Sequence, residues 1–230
     1  MKIIPSILSD DQQLVAEQLR LLHGLDEQYE IDRVQVDIVD GNFADNVTIT
    51  PLDMPNFEWG ELEVDVHLMT HEPLDFVYEA KEVTEFIQFH SIIGQVEKMS
   101  SQEDFVQEVK KQHWRPGLCL DLYTPISELS IEALQDVRVL QIMGIQAGFQ
   151  GQTFVEHTYE TIKAVRTLIT EVNPTIELLV DGGVKADQLV KLAELGVDGV
   201  VVGSILWKSE SVEAGLDSLY EKIAELVDEE

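Results

Sequence analysis

The feature that most constrains the fold of this chain is a regular alternation of short apolar segments with amphipathic, helix-like segments. Nearly every strand-like segment is followed by one with apolar residues at helical spacing. We predict strands at residues 2–8, 33–39, 63–69, 85–90, 117–122, 137–142, 176–180 and 199–202. The predicted helices include residues 73–82, 126–134, 155–172, 186–195 and 211–227. This alternation indicates a parallel sheet with right-handed crossovers.

Eight strand-helix units in 230 residues favour closure into a (β/α)8 TIM barrel, and we predict that residues 1–230 form one domain. The alternative is an open, Rossmann-like sheet. Such a sheet would carry G-x-G-x-x-G after its first strand, and this sequence has no such motif there. In a barrel, the loops at residues 42–59 and 144–151 follow strands and therefore lie on the catalytic face.

The charge of the chain limits the partners that it can bind. There are 44 acidic residues against 15 Lys plus Arg, which gives a formal net charge of −29. This field repels nucleic acid and anionic membranes, and no apolar run is long enough to cross a bilayer. We therefore expect a soluble, cytoplasmic protein without nucleic-acid or membrane partners. Because cations are scarce, an anionic substrate would be held by backbone N–H groups.

Three predicted strands deliver a carboxylate or an imidazole at their carboxyl ends, on the face opposite to their apolar residues. These are Asp37, His67 and Asp181, and Gln35 lies on the same face as Asp37. A buried carboxylate is unfavourable unless it is solvated, paired or bound to a metal. Two carboxylates and an imidazole suit a divalent cation such as zinc, manganese or iron. A hydrogen-bonded polar plug is the structural alternative, but three such residues at equivalent strand ends favour a functional site.

Small residues follow the last three predicted strands. Glycine lets the backbone approach a ligand closely, and the loops after strands 7 and 8 of a barrel commonly bind phosphate. The residues concerned are Gly148 and Gly151, Gly182 and Gly183, and Gly203 and Ser204. Together they predict a phosphate site. The single cysteine, Cys119, lies in an apolar run and is interpreted as a packing residue.

Six short motifs, taken in order, give the most specific signal in the chain. They are residues 5–9 (PSILS), 36–43 (VDIVDGNF), 66–69 (VHLM), 148–152 (GFQGQ), 180–184 (VDGGV) and 202–204 (VGS). In their order and spacing they resemble the ribulose-phosphate 3-epimerase family over essentially the whole chain. That family is a phosphate-binding (β/α)8 barrel of the pentose phosphate pathway, and it interconverts ribulose 5-phosphate and xylulose 5-phosphate. The resemblance implies the same fold and activity here.

The resemblance also implies a role for each matching residue. Asp37 and Asp181 would be the acid/base pair on the two faces of carbon 3. Together with His67, which also lies near the substrate, they would bind one divalent ion: zinc, iron, manganese or cobalt. The small-molecule ketose phosphate would be contacted by Ser6, Gly148, Phe149, Gln150, Gly151, Gly182, Gly183, Gly203 and Ser204. Met69 and Met143 would lie near the enediolate, and a homo-oligomer is expected.

The sequence departs from the family pattern at the site itself. Gln35 stands where the family has a metal-ligating histidine, and an amide oxygen is a weaker ligand than imidazole for zinc or iron. Val39 replaces a methionine, and Gln150 replaces a glycine in the phosphate loop. Two alternatives therefore stay open: a paralogue acting on another ketose phosphate, of five or six carbons, or a catalytically weakened sugar-phosphate-binding barrel. His90 is expected to end strand 4 on the inward face, in a satisfied hydrogen bond.

Overall fold

Eight parallel strands close into a barrel in the order β1 to β8, so the predicted (β/α)8 fold is confirmed. The structure is a computed structural model and describes residues 1–25 and 29–228. The strands are β1 (Lys2–Ile7), β2 (Arg33–Val39), β3 (Glu63–Met69), β4 (Phe89–Gln95), β5 (Arg115–Leu120), β6 (Val139–Met143), β7 (Glu177–Asp181) and β8 (Gly199–Val202). The helices are α1 (Gln12–His23), α2 (Pro73–Glu82), α3 (Gln102–Lys111), α4 (Ile131–Leu134), α5 (Thr158–Val172), α6 (Ala186–Glu194), α7 (Ser204–Trp207) and α8 (Val212–Asp228).

The alternation along each strand divides the apolar residues between two cores. On β2, Val34, Val36 and Ile38 face outward and join the large core between the barrel and its helices. Val39 faces inward and belongs to a smaller core inside the barrel, together with Met69 of β3 and others. Successive residues of a strand point to opposite faces, so the polar residues between the outward-facing ones must point into the barrel. This geometry carries Gln35 and Asp37 into its interior.

The fourth strand lies further along the chain than predicted. The sequence places it at residues 85–90, whereas β4 is Phe89–Gln95. The earlier segment forms a turn, in which Phe86 N–H donates to the Val83 carbonyl at 3.0 Å and the Phe86 side chain is 64% exposed. The prediction was wrong because residues 91–95 of β4 read SIIGQ, in which polar and apolar residues do not alternate, so periodicity did not mark the strand.

This shift moves His90 to the other end of the barrel. His90 lies near the start of β4 rather than at its end, so it is far from the catalytic face. Its Nδ1 lies 2.6 Å from a Glu63 carboxylate oxygen, and its ring also contacts Arg115. The expected hydrogen bonding is therefore present, but the expected position is wrong.

Helix boundaries differ mainly between β5 and β6. The predicted helix at residues 126–134 is two pieces, a 3-10 turn at Ile126–Glu128 and the short helix α4. Ser130 separates them, since its hydroxyl accepts the Ala133 N–H at 3.2 Å as a helix N-cap does. In the described ranges, no helix has both the length and the apolar character that crossing a bilayer demands.

A buried ion-pair network lies at the lower end of the barrel, where the strands begin. Arg33 of β2 is 2% exposed, contacts Asp65 through Nε and donates from Nη1 to both carboxylate oxygens of Glu177, at 3.0 and 3.2 Å. Asp65 is fully buried and also accepts from Ser91. Arg33 lies two residues before Gln35 on β2, and Asp65 lies two residues before His67 on β3. Gln35 and His67 belong to a layer of polar side chains closer to the catalytic face. The network therefore fixes the two strands that carry that layer.

Candidate active site at the carboxyl ends of the strands

A cavity opens at the carboxyl ends of the strands. The structure brings most of the predicted site residues to its wall: Ser6, Asp37, Met69, Met143, Gly148, Phe149, Gln150, Gly151, Asp181, Gly182, Gly183, Gly203 and Ser204. Gln35 and His67 are not part of this wall, because they lie deeper in the barrel with no exposed surface. The predicted contact of His67 with the substrate stays a prediction.

The two aspartates reach the cavity from different sides. Asp37 is on β2 and Asp181 ends β7, and these strands are separated in the barrel by β1 and β8. His67 is the register partner of Asp37 on the neighbouring strand β3. One ligand atom from each of Asp37, His67 and Asp181 lies within 4.8 Å of the others. Two carboxylates and an imidazole therefore converge beneath the cavity.

The amide of Gln35 connects the two carboxylates. Its Nε2 donates to Asp37 Oδ1 and to Asp181 Oδ2, both at 2.8 Å. Its Oε1 is buried and has no hydrogen-bond partner among the described residues. Leaving a buried acceptor without a partner costs about 1–3 kcal/mol. The Gln35 side-chain nitrogen thus has two hydrogen-bond acceptors, whereas its oxygen has no donor among the described residues.

These residues fit a divalent cation. Rotation of the Gln35 side-chain amide by half a turn exchanges its nitrogen and oxygen, so the unpartnered oxygen comes to face the two carboxylates. The cluster then offers three kinds of oxygen and nitrogen donor, from Asp37 and Asp181, His67 and Gln35, which is a donor set that divalent metals accept. The buried Asp/His/Asp cluster can therefore hold a metal ion.

Burial changes the protonation of the site. It raises the pKa of Asp37 to about 6; the hydrogen bond with His67 opposes this shift and the nearby charge of Asp181 adds to it. Burial alone would lower the pKa of His67, but its hydrogen bonds with the carboxylates of Asp181 and Asp37 raise it above its ordinary value. A protonated His67 donates Nδ1–H to Asp37 Oδ1, 3.0 Å away. It thereby balances part of the negative charge of the two carboxylates.

Two buried glutamines complete the layer, and the sequence reasoning missed both. Gln141 of β6 donates from Nε2 to Asp181 Oδ2 at 3.0 Å and lies 3.2 Å from His67 Nδ1. Gln95, which ends β4, places its Nε2 3.2 Å from His67 Nε2. Gln141 was detectable as the polar residue between two apolar ones on β6. Gln95 was not, because the predicted fourth strand ended before it.

Cys119 lies against the same histidine but has the properties of a packing residue. It is fully buried within the inner core. Burial raises the pKa of its thiol to about 12, with the nearby His67 opposing the shift. Because the thiolate is the nucleophile, a thiol with this pKa is unreactive at neutral pH. The interpretation of Cys119 as packing is consistent with this geometry.

The glycine loops form a cradle of free backbone donors. In the part of the chain that the structure describes, no protein acceptor contacts the backbone N–H groups of Gly148, Phe149, Gln150, Gly151, Gly183, Gly203 and Ser204. Gly183 has a φ of +73°, and a Cβ there would lie 2.6 Å from the backbone nitrogen of Phe154. A side chain is therefore excluded at this position. Gln150, by contrast, does not have a positive φ, so it fits its loop without backbone strain.

Replacing Gln35 by histidine is expected to tighten zinc binding by at least about tenfold. Loss of a single outer partner changes metal affinity by about ten- to a hundredfold, and exchange of an amide for an imidazole acts directly on the ion. Competition with a chromophoric chelator measures this. Gln13→His, on the exposed surface of α1, is the matched control and should leave zinc affinity unchanged. Equal zinc affinities of Gln35→His and wild type would show that position 35 is not a ligand position.

Comparison with known proteins agrees with the fold. The profile of a family described as "Ribulose-phosphate 3 epimerase family" matches residues 2–207. The chain is 31% identical over 223 residues to ribulose-phosphate 3-epimerase of Helicobacter pylori, which covers 95% of this chain and 96% of that protein. It is 30% identical over 211 residues to the cytoplasmic isoform of Oryza sativa subsp. japonica, covering 90% and 87%. In fold alone, it is similar to 3-hexulose-6-phosphate synthase from Salmonella typhimurium, with a TM-score of 0.61, 11% identity, and coverage of 98% and 100%.

Proposed function

This chain belongs to the ribulose-phosphate 3-epimerase family, and from that premise we propose that it interconverts D-ribulose 5-phosphate and D-xylulose 5-phosphate. The reaction inverts the configuration at carbon 3, next to the carbonyl. It requires removal of a proton from one face of that carbon and delivery of a proton to the other face. A site for this reaction needs two acid/base groups on different sides of the substrate and a place for the phosphate.

The observation that carries the proposal is the placement of Asp37 and Asp181. Both carboxylates line one cavity, and their strands approach it from different sides. One carboxylate would remove the carbon 3 proton, and the other, as carboxylic acid, would return a proton to the opposite face. Burial raises the pKa of Asp37 to about 6, which is close to the range where a group acts as either acid or base near neutral pH.

The cluster beneath the cavity would hold one divalent ion through Asp37, His67, Asp181 and, after rotation of its amide, Gln35. When bound, such an ion supplies Lewis-acid stabilisation of the negative charge that develops when carbon 3 loses its proton. Gln141 keeps Asp181 in place through its 3.0 Å hydrogen bond. We propose that the ion is zinc, iron, manganese or cobalt.

The remaining wall residues position the substrate. The free N–H groups of the glycine loops would hold the phosphate, and Ser6 would contact the sugar. Met69 and Met143 contribute apolar wall beside the two aspartates. Such a wall excludes water from the planar intermediate and strengthens the electrostatic interactions around it.

Purified protein is expected to convert ribulose 5-phosphate into xylulose 5-phosphate in the presence of a divalent ion. Removal of metal with a chelator should slow conversion by about a hundredfold or more, because a Lewis acid at this position is worth several kcal/mol of transition-state stabilisation. Restoring manganese, zinc, iron or cobalt one at a time should recover the rate and identify the ion. Absence of conversion with every ion would contradict the proposed activity.

One feature of the site favours a second candidate, a sugar-phosphate-binding barrel without turnover. The Gln35 amide already satisfies both carboxylates without an ion, through its two 2.8 Å hydrogen bonds. A protein of this kind would bind ribulose 5-phosphate and leave it unchanged. Calorimetry with ribulose 5-phosphate and the conversion assay together distinguish the two functions. Binding without conversion indicates the binder, and binding with conversion indicates the epimerase. An active epimerase on a six-carbon ketose phosphate would instead convert that substrate faster than ribulose 5-phosphate.

A further inference from the structure

The side chain of Gln150 presents an unused donor at the phosphate cradle. Its Nε2 is buried and has no hydrogen-bond partner among the described residues. The position of a Cβ on Gly203 would lie 2.9 Å from this nitrogen and 2.8 Å from the Ser6 hydroxyl oxygen. All three residues line the cavity. The amide N–H2 and the Ser6 hydroxyl thus flank one stretch of bare backbone, where no side chain competes for space.

A lysine approaches the next residue of the same loop. The position of a Cβ on Gly151 would lie 2.7 Å from Lys208 Nζ, so the ammonium group lies against the Gly151 backbone. In the described ranges this ammonium group has no ion-pair or hydrogen-bond partner. An unpaired cation is notable in a chain with 44 acidic residues and 15 Lys plus Arg.

We propose that Gln150 and Lys208 form a side-chain clamp on the phosphate group of the substrate, in addition to the backbone cradle. The inference rests on the proposed function, since it assigns further specificity-determining residues to the same site. A buried N–H2 group without an acceptor is unfavourable, and an anionic phosphate oxygen supplies one. Lys208 adds a positive charge on the same side, where the strongly acidic protein otherwise repels a dianion.

The clamp predicts that substitution of either side chain weakens binding of inorganic phosphate, measured by calorimetry with the full chain. Gln150→Glu replaces the N–H2 donor by a carboxylate of equal size, whose negative charge repels phosphate. It should weaken phosphate binding by about ten- to a hundredfold. Lys208→Met removes a partly solvated charge and should weaken phosphate binding by about three- to fivefold. The KM for ribulose 5-phosphate should rise by similar factors while kcat stays within about twofold of wild type. This is the pattern expected when the lost interaction stabilises the bound substrate and the transition state equally.

Two control variants separate the clamp from general charge effects. Gln146→Glu makes the same change on an exposed residue of the same loop that is outside the cavity wall. Lys163→Met removes an exposed lysine of α5. Both should bind phosphate within about twofold of wild type. Melting curves confirm that each variant is folded, and Lys208, being exposed, tests the clamp even where a Gln150 variant is unstable.

The outcomes also separate the clamp from the proposed function. If wild type binds phosphate and converts ribulose 5-phosphate, while Gln150→Glu and Lys208→Met bind phosphate as tightly as wild type, the clamp is wrong and the epimerase remains. If wild type converts ribulose 5-phosphate but binds no inorganic phosphate, the clamp is wrong and the epimerase remains. If wild type neither converts the sugar nor binds phosphate, both proposals fail. Weakened phosphate binding in both variants and unchanged binding in both controls is the result that the clamp requires.

Discussion

Asp181→Asn is expected to lower the rate of ribulose 5-phosphate epimerisation by about 10²- to 10⁴-fold, the range that one general acid/base group contributes. Asparagine has nearly the same shape but neither donates nor accepts a proton at carbon 3. Asp181 is 7% exposed and lines the cavity, so the substitution acts where the substrate would lie. Asp37→Asn should have an effect of the same order. Steady-state kinetics in both directions measures the loss.

The matched control for these variants is Asp187→Asn. Asp187 is an exposed residue in the first turn of α6, shortly after Asp181 in the chain. Its substitution removes the same charge from the same face and should change the rate by less than about twofold, since surface charges contribute little. An Asp181→Asn variant that retains most of the wild-type rate would show that Asp181 is not an acid/base residue.

Arg33→Met is expected to lower the free energy of unfolding by about 3–5 kcal/mol, because it leaves a buried charge without its partner. Asp65 is fully buried, and Arg33 is its contact below the active-site layer. Burial raises the pKa of Asp65, while Arg33 lowers it, so loss of the guanidinium leaves the buried carboxyl without its cation and with Ser91 as a hydrogen-bond donor. Urea unfolding monitored by tryptophan fluorescence measures the loss. Because Arg33 and Asp65 precede Gln35 and His67, bound metal should be lost at a lower urea concentration as well.

Lys110→Met is the control for this prediction. Lys110 is an exposed residue of α3 that pairs with Asp136 at the surface. Removal of such a pair should change the free energy of unfolding by no more than about 1 kcal/mol. If Arg33→Met lowers the free energy of unfolding by no more than Lys110→Met does, the buried network does not stabilise the lower end of the barrel.

The barrel could be predicted from the sequence because its physical cause is local. Parallel strands covered by helices must be apolar on their outer face, and the alternation of Val34, Val36 and Ile38 with Gln35 and Asp37 shows this directly. The same alternation predicted that Asp37, His67 and Asp181 share one end of the barrel. The structure confirms that they converge, within 4.8 Å.

The layer around these residues could not be fully predicted, because it depends on register. β4 reads FHSIIGQ, in which polar and apolar residues do not alternate, so periodicity did not fix its bounds, and Gln95 fell outside the predicted strand. The amide bridge of Gln35 and the approach of Lys208 to Gly151 are contacts between distant segments. Sequence spacing does not determine such contacts. Organisation as one domain, assembly into a homo-oligomer and a cytoplasmic location stay predictions.

The distribution of deuterium after partial conversion of ribulose 5-phosphate in heavy water tests the central claim most directly. If two carboxylates act from opposite faces, the proton taken from one face is not the one returned to the other. Xylulose 5-phosphate should then carry solvent deuterium at carbon 3 from the first turnover, while the remaining ribulose 5-phosphate carries little. Product that retains the original hydrogen at carbon 3, or equal labelling of both sugars by a single base, would contradict the account.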